Sequence, residues 1–331
     1  MLGYIIKRIL AMLPVLFFIC LIAFGVVCLF PGDFFSPQQF GYAARGMRPE
    51  EALALLTEQR IAAGLDKPWF VQFWVWFTGL ITTGTFGIRW QHLFRPEVGL
   101  LWTLVIAGSS MIWAWLLGIP FGIASALRKN TWLDYLMSTF TYICFSFPSY
   151  VWGTLFFVFV YTYINTHIRG PAMWGLVGYE LVGKPLTWYK VGSHILHLLP
   201  AWVIVGAPMF ASVARHMRVG MIEALDVPHI SVARAKGMRE RRIVWKHALR
   251  NALGPMFSLF GMMLPRMLMG TILLGTVLGI PTFGQYMLGS LSWNRQHHLT
   301  AALLVYSCFL LFGNLFGDIM LALADPRIRY D

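Results

Sequence analysis

Two places in this sequence hold residues whose types and spacing could do work. The first is a polar, basic stretch from about residue 222 to 254, where Glu223 and Ala224 are followed by Ala233, Arg234, Ala235, Lys236 and Gly237. Basic residues ending in a glycine signal a helix C-terminus, and Glu223 suits the first turn of the same short helix. A second helix restarts at about Glu240 and carries Ile243, Val244, His247, Ala248 and Asn251 on one face. Two short helices around a glycine corner make a compact knob, a shape that seats in a groove of a soluble partner. The plainer alternative is a solvated basic loop beside membrane spans. The second place is Arg266, which lies about 11 residues into an apolar run, roughly 16 Å deep in a ~30 Å hydrocarbon layer. A guanidinium there costs a few kcal/mol and has to find partners or water. Pro265 frees a carbonyl one turn back, so one reading is a structural arginine bonded to such carbonyls. The other is an arginine lining a path for solutes, where it meets a carboxylate or another anionic group.

Enzymatic chemistry finds no foothold. There is no Gly-x-x-x-x-Gly-Lys-Ser/Thr loop to cradle ATP phosphates, no His-Glu-x-x-His and no Gly-x-Ser-x-Gly. His297-His298 and His194/His197 are the close histidine pairs, and two imidazoles without further ligands fall short of a metal site. Cys20, Cys28, Cys144 and Cys308 all sit in apolar runs, where cysteine acts as a small core residue.

Composition describes the elements that must position these groups. The chain is 58% hydrophobic and 12% charged, with a mean hydropathy of +0.65. Soluble domains are about a quarter charged, so most of this chain faces lipid or other apolar helices. The net charge of +12 raises nucleic acid as a partner, but no soluble domain remains to carry such a surface once the apolar runs are set aside. Positive charge retained beside spans accounts for it. Spans are expected at about 9–30, 100–127, 136–161, 197–214, 255–278 and 300–323. The first reads as a retained span rather than a cleaved signal, because it ends in Pro31-Gly32-Asp33. Pro148 inside the third, and Pro200 and Pro208 inside the fourth, are tolerated where neighbours satisfy the freed carbonyls. Residues 31–98 form an outer segment. It holds a short helix opening at Pro49-Glu50-Glu51 and an aromatic stretch at 69–77, which reads as an interfacial helix too short to cross. Six spans place both termini and the loop at 220–254 on the side where Lys7, Arg8, Arg128, Lys129, Arg215, Arg218, Arg327 and Arg329 gather, the cytoplasmic side. The expectation is an all-α membrane protein with one domain over 1–331.

Taken together, the motifs resemble a permease subunit of the oligopeptide, dipeptide and nickel class of ABC importers. The likeness runs through Tyr4-Ile5-Ile6-Lys7-Arg8 with Pro14, Pro31-Gly32-Asp33 and Gly64-Leu65-Asp66-Lys67-Pro68. It continues in Gly118-Ile119-Pro120-Phe121-Gly122, Phe147-Pro148-Ser149, the 233–237 core, His247-Ala248-Leu249-Arg250-Asn251-Ala252 and Asp325-Pro326-Arg327. The resemblance implies a type I importer permease in the bacterial inner membrane, with Glu223, Ala224 and Ala233 to Gly237 as the cytoplasmic EAA coupling loop. It also implies a second permease, two cytoplasmic ATPases that bind the ATP, and an extracytoplasmic solute-binding protein; no cofactor is expected on this chain. The solute would be a peptide or similar oligomer, or nickel or another small solute. A secondary transporter or channel working without ATPases is the competing class, and it calls for inverted repeats and buried charges that are not evident here. Some positions depart from the family pattern: Pro228-His229 stands where Asp-Tyr is usual, Thr85 and Gly275 replace an acidic residue, and Thr282 replaces a glycine.

Overall fold

The computed structural model describes residues 2–29, 35–36, 38–83, 99–159, 163, 175–176, 181–292 and 296–324. In chain order the helices are α1 (Leu2–Leu29), α2 (Gln38–Ala44), α3 (Pro49–Ala62), α4 (Trp69–Thr83), α5 (Leu100–Leu127), α6 (Trp132–Ser146), α7 (Ser149–Phe159) and α8 (Trp188–Leu225). They continue with α9 (Pro228–Ala235), α10 (Glu240–Arg242), α11 (Leu249–Leu278), α12 (Phe283–Ser292) and α13 (Gln296–Ala324), and a π-helical turn over Ile243–Ala248 joins α10 to α11. Among the described residues there is no strand. Five helices are long and apolar enough to cross a membrane, and a sixth crossing is available if α6 and α7 act as one. The chain divides into two compact units, residues 1–101 with 282–311 and residues 102–281 with 312–331.

In the first unit α4 stands lengthwise against α1. Phe77 meets Phe17 with ring centroids 5.2 Å apart, and Phe24 meets Phe73 at 5.7 Å and Trp76 at 5.8 Å. A Cβ on Gly25 would touch the Trp69 ring at 4.0 Å. The contacts therefore run antiparallel for about 12 Å along both helices. This corrects the interfacial reading of 69–77, since the helix lies beside the middle of the first apolar run. Aromatic composition looks the same in a headgroup belt and in an aromatic seam, but Phe73, Trp76, Phe77 and Leu80 recur at helical spacing and pack inward. At 15 residues, about 22 Å, α4 is too short to cross.

In the second unit the expected third span is broken. Proline disfavours the helical region for the residue before it, and Phe147 is extended at φ −98° and ψ 132°. The helix stops at Ser146, and α7 leaves at 93° to α6. The expected fourth span is longer than its apolar core: α8 has 38 residues, about 57 Å. It starts at a Thr187 cap, whose Oγ1 accepts from the Lys190 N–H, and continues past Arg215 and Arg218 to Leu225. Hydropathy marks where lipid contact ends, not where a helix ends. The fifth stretch is helical from Leu249 and closes at Gly279, whose φ of 65° forms a left-handed cap.

Two contacts fix α8 against its neighbours. A Cβ added to Gly122 on α5 would lie 2.5 Å from the Ala214 carbonyl oxygen, so only glycine allows the two backbones to approach this closely. Nearby, Arg218 donates from Nε and Nη2 to the two carboxylate oxygens of Asp134 on α6, each at 2.7 Å. Asp134 is 2% exposed, and its Oδ1 and Oδ2 also accept from Ser125 Oγ at 2.6 Å and the Asn130 N–H at 3.0 Å. This bidentate pair fastens α6 to α8.

Gly122→Val is expected to lower the stability of the detergent-purified chain by about 1–3 kcal/mol through overpacking, read as a lower thermal unfolding midpoint. Asp134→Asn and Arg218→Gln should each cost roughly 3 kcal/mol, because each leaves the other partner uncompensated. The double variant should be no worse than the poorer single one; strictly additive losses would show that the pair is not coupled.

Candidate functional site

The knob forms as a helix–corner–helix, but its first residues belong elsewhere. Glu223 and Ala224 lie in the last turn of α8, not in the first turn of the short helix. Pro228 explains the difference, because proline suits the first helical position and drives its predecessor into extended backbone. Val227 accordingly sits at φ −71° and ψ 139°, and α9 begins at Pro228. Glu223 is exposed and Ala224 buried. At the other end of α9, Gly237 has φ +75°. The Gly237 N–H donates to the Arg234 carbonyl at 2.9 Å and the Met238 N–H to the Ala233 carbonyl at 3.2 Å. This is a Schellman termination, and Met238 completes it by packing on the buried Ile230, Ala233 and Ile243.

Across the corner, Arg234 Nε donates to Glu240 Oε1 at 2.7 Å. The pair is solvent-exposed and worth little alone, but it bridges α9 and α10. Arg234, Ala235 and Lys236 face solvent. Beyond the corner, Ile243, Val244 and Ala248 are buried on one face of the π turn. On the other face, Gly237, Arg239, Arg241, Arg242 and Trp245 border a concavity of about 900 Å³. Among the described residues no carboxylate pairs with those three arginines.

Both limbs of the knob lead to one cavity of about 440 Å³. The α8 limb contributes Val205, Pro208, Met209 and Ser212, and the α11 limb contributes Met263, Arg266, Met267, Met269 and Gly270. The break between α6 and α7, around Phe147 and Pro148, forms the third wall. Arg266 is exposed to this space. The sequence marked Arg266 but not the methionines, which look like ordinary span residues until the break opens a void beside them.

The other candidates are occupied or lie elsewhere. His194 Nδ1 is 2.7 Å from the Leu176 carbonyl, His197 Nδ1 is 2.7 Å from the Ser193 carbonyl, and His298 Nδ1 is 2.9 Å from the Tyr286 hydroxyl. Among the described residues no cluster of three or more His, Cys, Asp or Glu could hold a metal. Thr85 and the 325–327 motif fall outside the described residues.

Comparison with known proteins identifies the family. Residues 118–330 match the family described as Binding-protein-dependent transport system inner membrane component. Residues 1–103 match the description Binding-prot-dependent transport system membrane comp, N-term. The chain is 31% identical over 337 residues to the oligopeptide transport system permease protein AppB of Bacillus subtilis (strain 168), covering 100% of both chains. It is 31% identical over 334 residues to the dipeptide transport system permease protein DppB of Lactococcus lactis subsp. cremoris (strain MG1363), covering 99% of this chain and 100% of that one. It is also 30% identical over 335 residues to the glutathione transport system permease protein GsiC of Escherichia coli (strain K12), covering 100% of both. With its several apolar helices and absence of strands among the described residues, the chain belongs to the binding-protein-dependent transport system inner membrane component family, as a multi-pass permease of type I ABC importer architecture.

Proposed function

We propose that this chain is the permease through which an ATP-driven importer passes peptides or similar oligomeric solutes into the cytoplasm. It would receive them from a solute-binding protein and work beside a second permease and two ATPase subunits that bind the ATP. The peptide class is supported by the printed roles of the relatives, which carry oligopeptides, dipeptides and glutathione. The observation that carries the coupling role is continuity: the two helices leaving the knob, α8 and α11, are the ones that line the cavity at Arg266. Movement imposed on the knob is transmitted directly to the cavity wall.

In this reading Glu223 and Ala224 brace the root of the knob, while Ala233, Arg234, Ala235, Lys236 and Gly237 meet the ATPase. The three arginines around the 900 Å³ concavity suit an acidic patch on that partner. Arg266 lines the solute path, and both termini lie in the cytoplasm.

The assembled importer in proteoliposomes should take up trialanine only when ATP is supplied on the ATPase side; uptake without ATP would move the chain to the secondary transporters. Gly237 tests the knob. An added Cβ there meets nothing within 4 Å, so the cost of Gly237→Val is purely conformational, about 1–2 kcal/mol. Uptake should fall roughly 5–30-fold at unchanged membrane abundance, and Gly237→Asn, which tolerates the left-handed region, should retain most activity. Normal uptake by Gly237→Val would remove the corner from the mechanism. A reporter active only in the cytoplasm should work when fused after Lys129, Gly237 or Asp331 and stay silent after Gly64 or Lys184. Activity after Gly64 would overturn the six-crossing topology.

A further inference from the structure

Arg266 sits about seven residues into the apolar stretch Leu259–Leu278, roughly 10 Å from its end. Ionisable groups at such depth persist where they pair or face water. The structural reading requires partners, and among the described residues the Arg266 guanidinium makes no ion pair, hydrogen bond or ring contact. It borders the cavity instead, and it is the one ionisable group among the lining residues, with no carboxylate to neutralise it. A second cation stands close by: the Arg215 guanidinium lies 4.0 Å from the ring centroid of Phe145, which itself lines the cavity. The hydroxyls of Ser149 and Ser212 also border the space and bond to no described residue. The remaining wall is rich in Met209, Met263, Met267 and Met269, unbranched side chains that reshape around varied apolar groups.

We propose that this cavity is an anion-selective solute site, in which Arg266 grips a carboxylate of the passing solute while the methionine wall accepts its side chains with little discrimination. The carboxylate is a peptide's α-carboxylate to the extent that the peptide reading above holds. The selectivity follows from charge and shape together. A fixed cation in a low-dielectric recess attracts an anion far more strongly than in water. The volume of about 440 Å³ falls within the range of small-molecule sites. The bent wall at Phe147 and Pro148 leaves the space that an unbroken helix would fill.

The first arm of the test needs no solute. In the assembled importer, with its native cysteines replaced by alanine, Ser149→Cys is labelled with 2-sulfonatoethyl and with 2-(trimethylammonio)ethyl methanethiosulfonate. A Cβ built on Gly270 would lie 3.5 Å from Ser149 Oγ, which places this reporter one turn from Arg266. The ratio of anionic to cationic labelling rates should fall at least about tenfold when Arg266→Gln is added and recover with Arg266→Lys. Ser212→Cys repeats the measurement from α8. A ratio that ignores Arg266 at both positions overturns the anion site. The second arm measures uptake of trialanine, normalised to assembled importer. Arg266→Gln should lower it about tenfold, the loss of one charged hydrogen bond, and Arg266→Lys should restore most of it. Uptake by Arg266→Gln at the wild-type rate overturns the carboxylate grip, as does a loss that merely tracks failed assembly. A wild-type importer that carries no trialanine overturns the peptide reading, and the labelling ratio still decides the cavity.

Discussion

A bilayer interior offers no hydrogen-bond partner to a bare backbone N–H or C=O, and this constraint shapes the chain more than any single contact. It allows only helices or closed barrels across the apolar layer, and in a helical chain it makes every break costly unless the break opens onto protein or water. The break at Phe147 and Pro148 is placed accordingly, since it borders the cavity that Arg266 also faces. One opening thus accommodates both the irregular backbone and the Arg266 guanidinium. Outside the apolar layer, the Gly237 corner solves the same problem by local means, with two backbone bonds that close the end of α9.

How much of this was legible depends on which physical signal carried it. Apolar runs report burial in lipid, so the all-helical membrane class could be read directly, while the ordered motifs from Tyr4 to Arg327 carried the resemblance to the family. Helix ends obey different rules. Thr187 and Pro228 are local signals, a side-chain cap and a residue confined to the first helical turn. Reading them strictly would have extended α8 to Leu225 and moved Glu223 out of the short helix. Phe147 was equally readable, because the restriction proline places on its predecessor does not depend on burial.

Other features depend on pairings that sequence order does not encode. Asp134 and Arg218 lie far apart in the chain, and neither announces the other. Aromatic composition alone points α4 to the headgroup level, whereas its packing is set by the rings of Phe17 and Phe24 on α1. The left-handed turn at Gly237 was visible as a glycine after basic residues, but the cavity beside Arg266 was not, because three separate segments must converge to make it.

The Asp134–Arg218 clasp also gives α8 a fulcrum. Between Met209 and Leu225 the helix contains no proline, so this part behaves as a stiff beam. The pin at Arg218 stands about 10 Å from the Leu225 end and about 14 Å from Met209 in the cavity wall. In the coupling proposed above, tilting the beam about this pin would displace the wall in the opposite sense and by a somewhat larger amount, a mechanical ratio of about 1.3. Moving the clasp along α8 by one turn, with all contact residues kept, would change that ratio and hence the stroke delivered to the cavity.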